Sequence, residues 1–167
     1  MRGSRILANG NALPMLLGGA ILLLAALLTR LATGSPLWLF HFGDAAGVLP
    51  PLWLTGLLWL LSFFTVGAAA GYVLSCRSLT GGREAYLWRG CTFLILAVVF
   101  TLIWYTLLFG KRYLLPSWLF LPLAAGGAAV CGLSWRHVSR VACVAVWCFA
   151  LWQIIVFWLQ LRVMWSL

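Results

Sequence analysis

The chain has 167 residues, 65% of them hydrophobic and only 8% charged, where soluble domains carry ~25% charge. So few charges cannot solvate a globular surface, and the 15% aromatic content excludes a disordered chain. A net charge of +9 would suit nucleic acid, but the eleven Lys and Arg stand in ones and twos at the ends of apolar blocks. Topology signals are placed that way, and no nucleic-acid partner is expected.

A membrane-spanning helix needs ~20 mostly apolar residues, so five spans would use ~100 of this chain. Uninterrupted apolar runs in place of alternation exclude a β-barrel. The sequence predicts an all-α membrane protein, one five-helix transmembrane bundle over residues 1–167, embedded in a lipid bilayer.

The first span, about 13–29, follows Arg2 and Arg5 and resembles a signal peptide. It runs on into Arg30-Leu31-Ala32 without a small-x-small cleavage site, and is read as a retained helix. The second, 52–75, follows Pro50-Pro51, which suits a helix start because proline needs no donor there. The third, 87–109, ends at Gly110-Lys111-Arg112, a stop glycine followed by charge. The fourth, 114–133, holds Pro116 near its start and Pro122 inside, which predicts a kink. The fifth, 141–161, ends before Arg162.

Loops then cover 31–51, 76–86, 110–113 and 134–140, and only the first is long. It holds His41 and Asp44, but one His without partners reads as a plain loop residue, and no metal site is expected.

With five spans the termini lie on opposite sides. Arg2, Arg5, Arg77, Arg83, Arg89, Arg136 and Arg140 fall on the N-terminal side, against Arg30, Lys111, Arg112 and Arg162 on the other. The positive-inside rule favours a cytoplasmic N-terminus, by a narrow margin. With no transit-type N-terminus, a bacterial inner membrane is the expected location.

The five cysteines (Cys76, Cys91, Cys131, Cys143 and Cys148) are odd in number and lack a C-x-x-C pair, so they read as small hydrophobes. No ionisable group lies at mid-span and the spans do not form two matching halves, which disfavours a proton-coupled or inverted-repeat transporter. The polar residues of the spans are Thr55, Ser62, Thr65, Thr92, Thr101, Thr106, Gln153 and Gln160. Gly67-Ala68-Ala69-Ala70-Gly71 allows close backbone approach, either inside the bundle or between protomers.

Eleven tryptophans form the strongest anomaly. Trp38, Trp88, Trp118, Trp135 and Trp165 sit near span ends, where interfacial belts place them. Trp59, Trp104 and Trp152 lie deeper, where an indole either packs as a core residue or forms a flat wall for a planar ligand. Trp152, Val156 and Gln160 follow at i, i+4, i+8, which puts an indole and an amide on one face of the fifth helix.

Several segments resemble the TspO/MBR family, the tryptophan-rich sensory proteins related to the translocator protein, or peripheral benzodiazepine receptor. Pro50-Pro51-Leu52-Trp53, then Trp59, Phe63 and the run Gly67–Ala70, is similar to its P-P-x-W-x5-W-x3-Y-x3-[GS]-x-A-A stretch. Trp104-Tyr105-Thr106-Leu107-Leu108-Phe109-Gly110 resembles W-x-P-x-F-F-G, and Ser139-Arg140-Val141-Ala142 resembles S-R-L-A. Phe149-Ala150-Leu151-Trp152, ending in Gln160, is similar to P-Y-L-x-W…L-N. The family's helix-three Gln and Asn stand here as Ala97 and Thr101, and its closing Asn as Gln160.

The resemblance implies a five-helix bundle, commonly a homodimer, with a ligand pocket under the first loop. It implies a porphyrin, haem or other flat apolar molecule as ligand and no required cofactor. Ligand-binding residues would be Trp53, Trp59, Phe63, Thr101, Trp104, Trp152, Val156 and Gln160, with residues 41–51 as a lid. It also implies light-dependent porphyrin breakdown at Trp59 and Trp152, whereas no acid, base or nucleophile cluster points to ordinary catalysis. The other reading is a structural or interaction protein whose tryptophans only pack and sit at interfaces.

Overall fold

The computed structural model describes residues 12–33, 51–77 and 82–166. They form helices and no strand, and five helices are long and apolar enough to cross a membrane. Helix α1 is Ala12–Thr33, α2 is Leu52–Ser75 and α3 is Glu84–Tyr105, continued by a π-helical turn, Thr106–Gly110. The fourth crossing is a short α4 (Leu114–Trp118) followed by α5 (Phe120–Trp135), and the fifth is α6 (Arg140–Ser166). In hydrocarbon every backbone polar group must be satisfied within the protein, which helices do from their own sequence.

The boundaries carry the chemistry of their residues. Pro51 caps α2, accepting a hydrogen bond from the Thr55 amide at 3.1 Å. Ser139 caps α6 with its hydroxyl oxygen, which accepts from the Ala142 amide at 3.3 Å. Pro122 breaks the fourth crossing in two: its ring excludes the carbonyl four residues back, that of Trp118, and α4 ends there. The third crossing ends at Gly110, as the glycine stop predicts, although the left-handed residue is not the glycine. Gly110 closes the π turn, and Arg112 takes the left-handed conformation at φ 58°. The Tyr113 amide then reaches back to the Leu107 carbonyl at 2.9 Å.

Viewed down the bundle, α1 packs on α2, α2 on α6, α6 on α5 and α5 on α3, which returns to α1 to close the ring. Helices α1 and α2 meet backbone to backbone. A Cβ on Gly67 would collide with the Gly18 carbonyl, and one on Gly71 with the Pro14 carbonyl. The small run of α2 therefore serves packing inside the chain, which small residues allow in membranes. Large apolar side chains such as Leu16, Leu31, Ile95, Leu115, Val144 and Leu151 stand on the outer surface, where acyl chains solvate them.

Trp88 and Trp165 are exposed near helix ends, as a belt requires. Trp135 does not follow that pattern. It is fully buried, donates its indole N–H to the Leu87 carbonyl at 3.3 Å and fills the room left by Gly90 of α3. A small residue on the facing helix draws the ring inward.

At the end of the bundle away from the first loop, Arg83 donates to the His137 carbonyl at 2.8 Å and Tyr86 packs on the His137 ring at 4.7 Å. Arg77 lies 5.2 Å over the Trp88 ring. At the opposite end Arg162 lies 4.9 Å over Trp158. The first-loop residues 34–50, with Trp38, His41 and Asp44, fall outside the described residues, as do Arg2 and Arg5.

Candidate functional site

The polar inventory of the spans narrows at once. Thr55, Ser62, Thr65, Thr92, Thr101 and Thr106 all donate their hydroxyls to carbonyls of their own helix three or four residues back. Thr101, expected to hydrogen-bond a ligand, is fully buried and donates to the Ala97 carbonyl at 2.8 Å. Two glutamines remain.

Gln160 is engaged at both ends of its amide. Its Oε1 accepts from the Trp104 indole at 2.8 Å and its Nε2 donates to the Ser117 hydroxyl at 2.8 Å. This chain ties α3, α6 and α4 together. Trp104 and Gln160, both expected around the ligand, thus hold each other, and Ser117, which no motif marks, completes the link.

Gln153 is different. It is 1% exposed and its Nε2 has no hydrogen-bond partner. The indole nitrogens of Trp59 and Trp152 are likewise buried without a partner. Each buried, unmade hydrogen bond costs about 1–3 kcal/mol, and no water is at hand in the membrane interior to relieve it. All three orphans are donors.

These groups share one level of the bundle. Helices α2 and α6 are adjacent and antiparallel, and Phe63 meets Phe149 edge to face at 5.8 Å. Four residues further toward the first-loop end on each helix, ~6 Å along the axis, come Trp59 on α2 and Gln153, beside Trp152, on α6. Trp59 then stacks on Tyr105 of α3 with ring centroids 4.7 Å apart and planes at 25°.

Because α2 and α3 are not neighbours in the ring, this stack crosses the bundle interior. Tyr105 also packs on Phe109 at 4.5 Å, and Trp104 meets both rings edge-on at 6.1 and 5.9 Å. The first-loop half of the interior is thus a cluster of rings carrying unpartnered N–H groups. Stacking adds only about 0.5–1.5 kcal/mol per ring pair beyond burial, a hold that another flat ring can replace.

Of the other residues expected to line the ligand, Phe63 is fully buried in this cluster, and Trp152 and Val156 pack against its edge. Trp53 is 70% exposed and stands on the outer surface, away from the cluster. Tyr105 is not a candidate by its sequence position. Its place opposite Trp59 depends on two helices far apart in sequence, and no spacing rule announces it.

Three apolar grooves lined by described residues lie elsewhere. One, of about 410 Å³, runs along α1, α2 and α3 past Leu17, Ala70 and Leu94. Another, of about 560 Å³, lies between α5 and α6 beside Gly126 and Trp147, and the third, about 270 Å³, flanks Ile103. None of the three includes Trp59, Trp104 or Trp152. Among the described residues no group of three His, Cys, Asp or Glu is placed to hold a metal ion.

No family model, no curated protein and no solved structure matches this chain.

Proposed function

We propose that this integral membrane protein binds a flat, largely apolar ligand of the tetrapyrrole class in the ring cluster beneath the first loop. Porphyrins and haem are the ligands that the TspO/MBR-like motifs imply. The observation that carries the reading is the set of buried, unpartnered donors at Trp59, Trp152 and Gln153 beside a ring stack. A bundle built only for packing leaves no reason to keep three such costs at one level. A ligand with broad faces and a few acceptors would replace the Tyr105 ring on Trp59 and accept from these groups. With the narrow excess of basic residues at the other end, a cytoplasmic N-terminus fits best, and the ligand would enter from the outer face.

The test is a spectral titration of the purified protein with protoporphyrin and haem side by side. Saturable quenching of tryptophan fluorescence, absent when free tryptophan analogue in empty micelles is titrated, is the expected result. Quenching that rises linearly with porphyrin in both samples would leave no site. Illuminating the complex while following its Soret band then separates binding from degradation.

The structural reading keeps one specific observation in its favour. Trp104 and Trp135 are each buried and spent on a protein acceptor. For those two tryptophans, packing accounts for the whole environment. It does not account for Trp59 and Trp152.

A further inference from the structure

By its position in the sequence Arg30 is a topology signal, yet its placement does more than mark a helix end. Arginine at the end of a membrane helix usually extends to the headgroups. Here the side chain is half-buried, and its Nη1 lies 3.4 Å from the point that a Cβ on Gly56 would occupy. Gly56 stands on α2, three residues from Trp59 on the first-loop side, or ~4.5 Å along the axis. Tyr105, stacked on Trp59, lies within electrostatic reach of the same guanidinium. The cation therefore sits at the rim of the ring cluster, and the orphaned Gln153 amide lies about one turn deeper.

Every one of these groups is a donor: the fork of Arg30, two indole N–H groups and one amide. Of the chain's two acids, Glu84 begins α3 at the opposite end of the bundle and Asp44 falls outside the described residues, so among the described residues no carboxylate stands beside Arg30. A cation turned toward a membrane interior is costly unless an anion meets it, and a guanidinium fork matches a carboxylate in two parallel hydrogen bonds.

We propose that the ligand carries a carboxylate, which Arg30 holds at the rim while the ring system lies on Trp59 and an acceptor of the ring reaches Gln153. The inference rests on the tetrapyrrole reading above and narrows it. The ligand is an amphipathic acid, neither a neutral sterol-like molecule nor a plain hydrocarbon. Arg30 sets which flat molecules are retained, and the rings set how tightly.

The experiment compares protoporphyrin IX with its dimethyl ester, which keeps the ring and loses both negative charges. Full-length protein in maltoside micelles is titrated with each by tryptophan quenching, as wild type, Arg30→Gln and Arg30→Lys, with a thermal melt on each variant. Wild type is expected to bind the diacid about tenfold more tightly than the ester, as a charge-assisted pair at a partly desolvated site allows. Arg30→Gln should weaken the diacid alone, bringing the two to parity, and Arg30→Lys should recover part of the preference.

Equal affinity of wild type for diacid and ester overturns the proposal while leaving the tetrapyrrole site intact, and this holds even if the variants fail to fold. So does an equal loss for both ligands in Arg30→Gln. Added phosphatidylglycerol that abolishes the preference would assign Arg30 to a lipid phosphate and overturn it as well. Failure of wild type to bind either ligand overturns the tetrapyrrole reading itself.

Discussion

Two contacts of α2 show opposite ways of building a membrane bundle. Toward α1 it presents Gly67 and Gly71, and the backbones touch with no side chain between them. Across the interior toward α3 it presents Trp59, which meets the Tyr105 ring face to face. The first contact leaves nothing to move and no buried donor unsatisfied. The second spans the interior with a ring stack and leaves the Trp59 indole N–H without an acceptor. A helix that is closed on one side and ring-lined on another separates what holds the bundle together from the candidate ligand site.

The comparison breaks most severely at the glycines. Gly67→Leu drives a side chain into the Gly18 carbonyl, and overpacking of this kind costs about 1–3 kcal/mol or more. Loss of the monodisperse peak in detergent chromatography, or a melting point lowered by many degrees, is expected. Next in size is Trp104→Phe, which leaves Gln160 Oε1 without its donor and should cost about 1–3 kcal/mol in thermal unfolding. Porphyrin affinity in that variant should stay within threefold of wild type once the protein is folded.

Gln153→Leu sharpens the comparison because the two readouts diverge. Removing a buried donor that has no partner should leave apo stability unchanged or raise it by about 1 kcal/mol, while porphyrin binding weakens. A variant that loses stability instead would give Gln153 a structural role. The smallest effect is expected at Trp53→Leu, an exposed position where stability should shift by no more than about 0.5 kcal/mol and affinity not at all.

How much of this was legible follows from range in the sequence. The five spans were, because length and apolarity are local properties. The start of α2 at Pro51 and the break before Pro122 were too, since proline acts on its own turn. The run Gly67–Gly71 announced a close approach but not its partner, because Gly18 and Pro14 lie some fifty residues away on another helix. Trp135 looked interfacial by position alone. The space at Gly90 that buries it depends on the register of α3 against α5.

Within the candidate site, the burial of Trp59 follows from its depth in the span, whereas the division of labour between the two glutamines does not follow from their positions. Nothing in composition tells Gln160, tied to Trp104 and Ser117, from Gln153, whose amide has no partner. Arg30 has the sequence context of any topology arginine, and only its guanidinium lying against Gly56 distinguishes it.

The most direct measurement is the protoporphyrin dissociation constant of a Trp59→Leu, Trp152→Leu double variant, set beside a Trp158→Leu, Trp165→Leu control whose indoles face outward. Loss of at least about tenfold in affinity for the first pair, as removal of stacked aromatic walls implies, with no change for the second, is the expected result. Unchanged affinity in the folded Trp59, Trp152 variant would contradict a ligand site in the ring cluster.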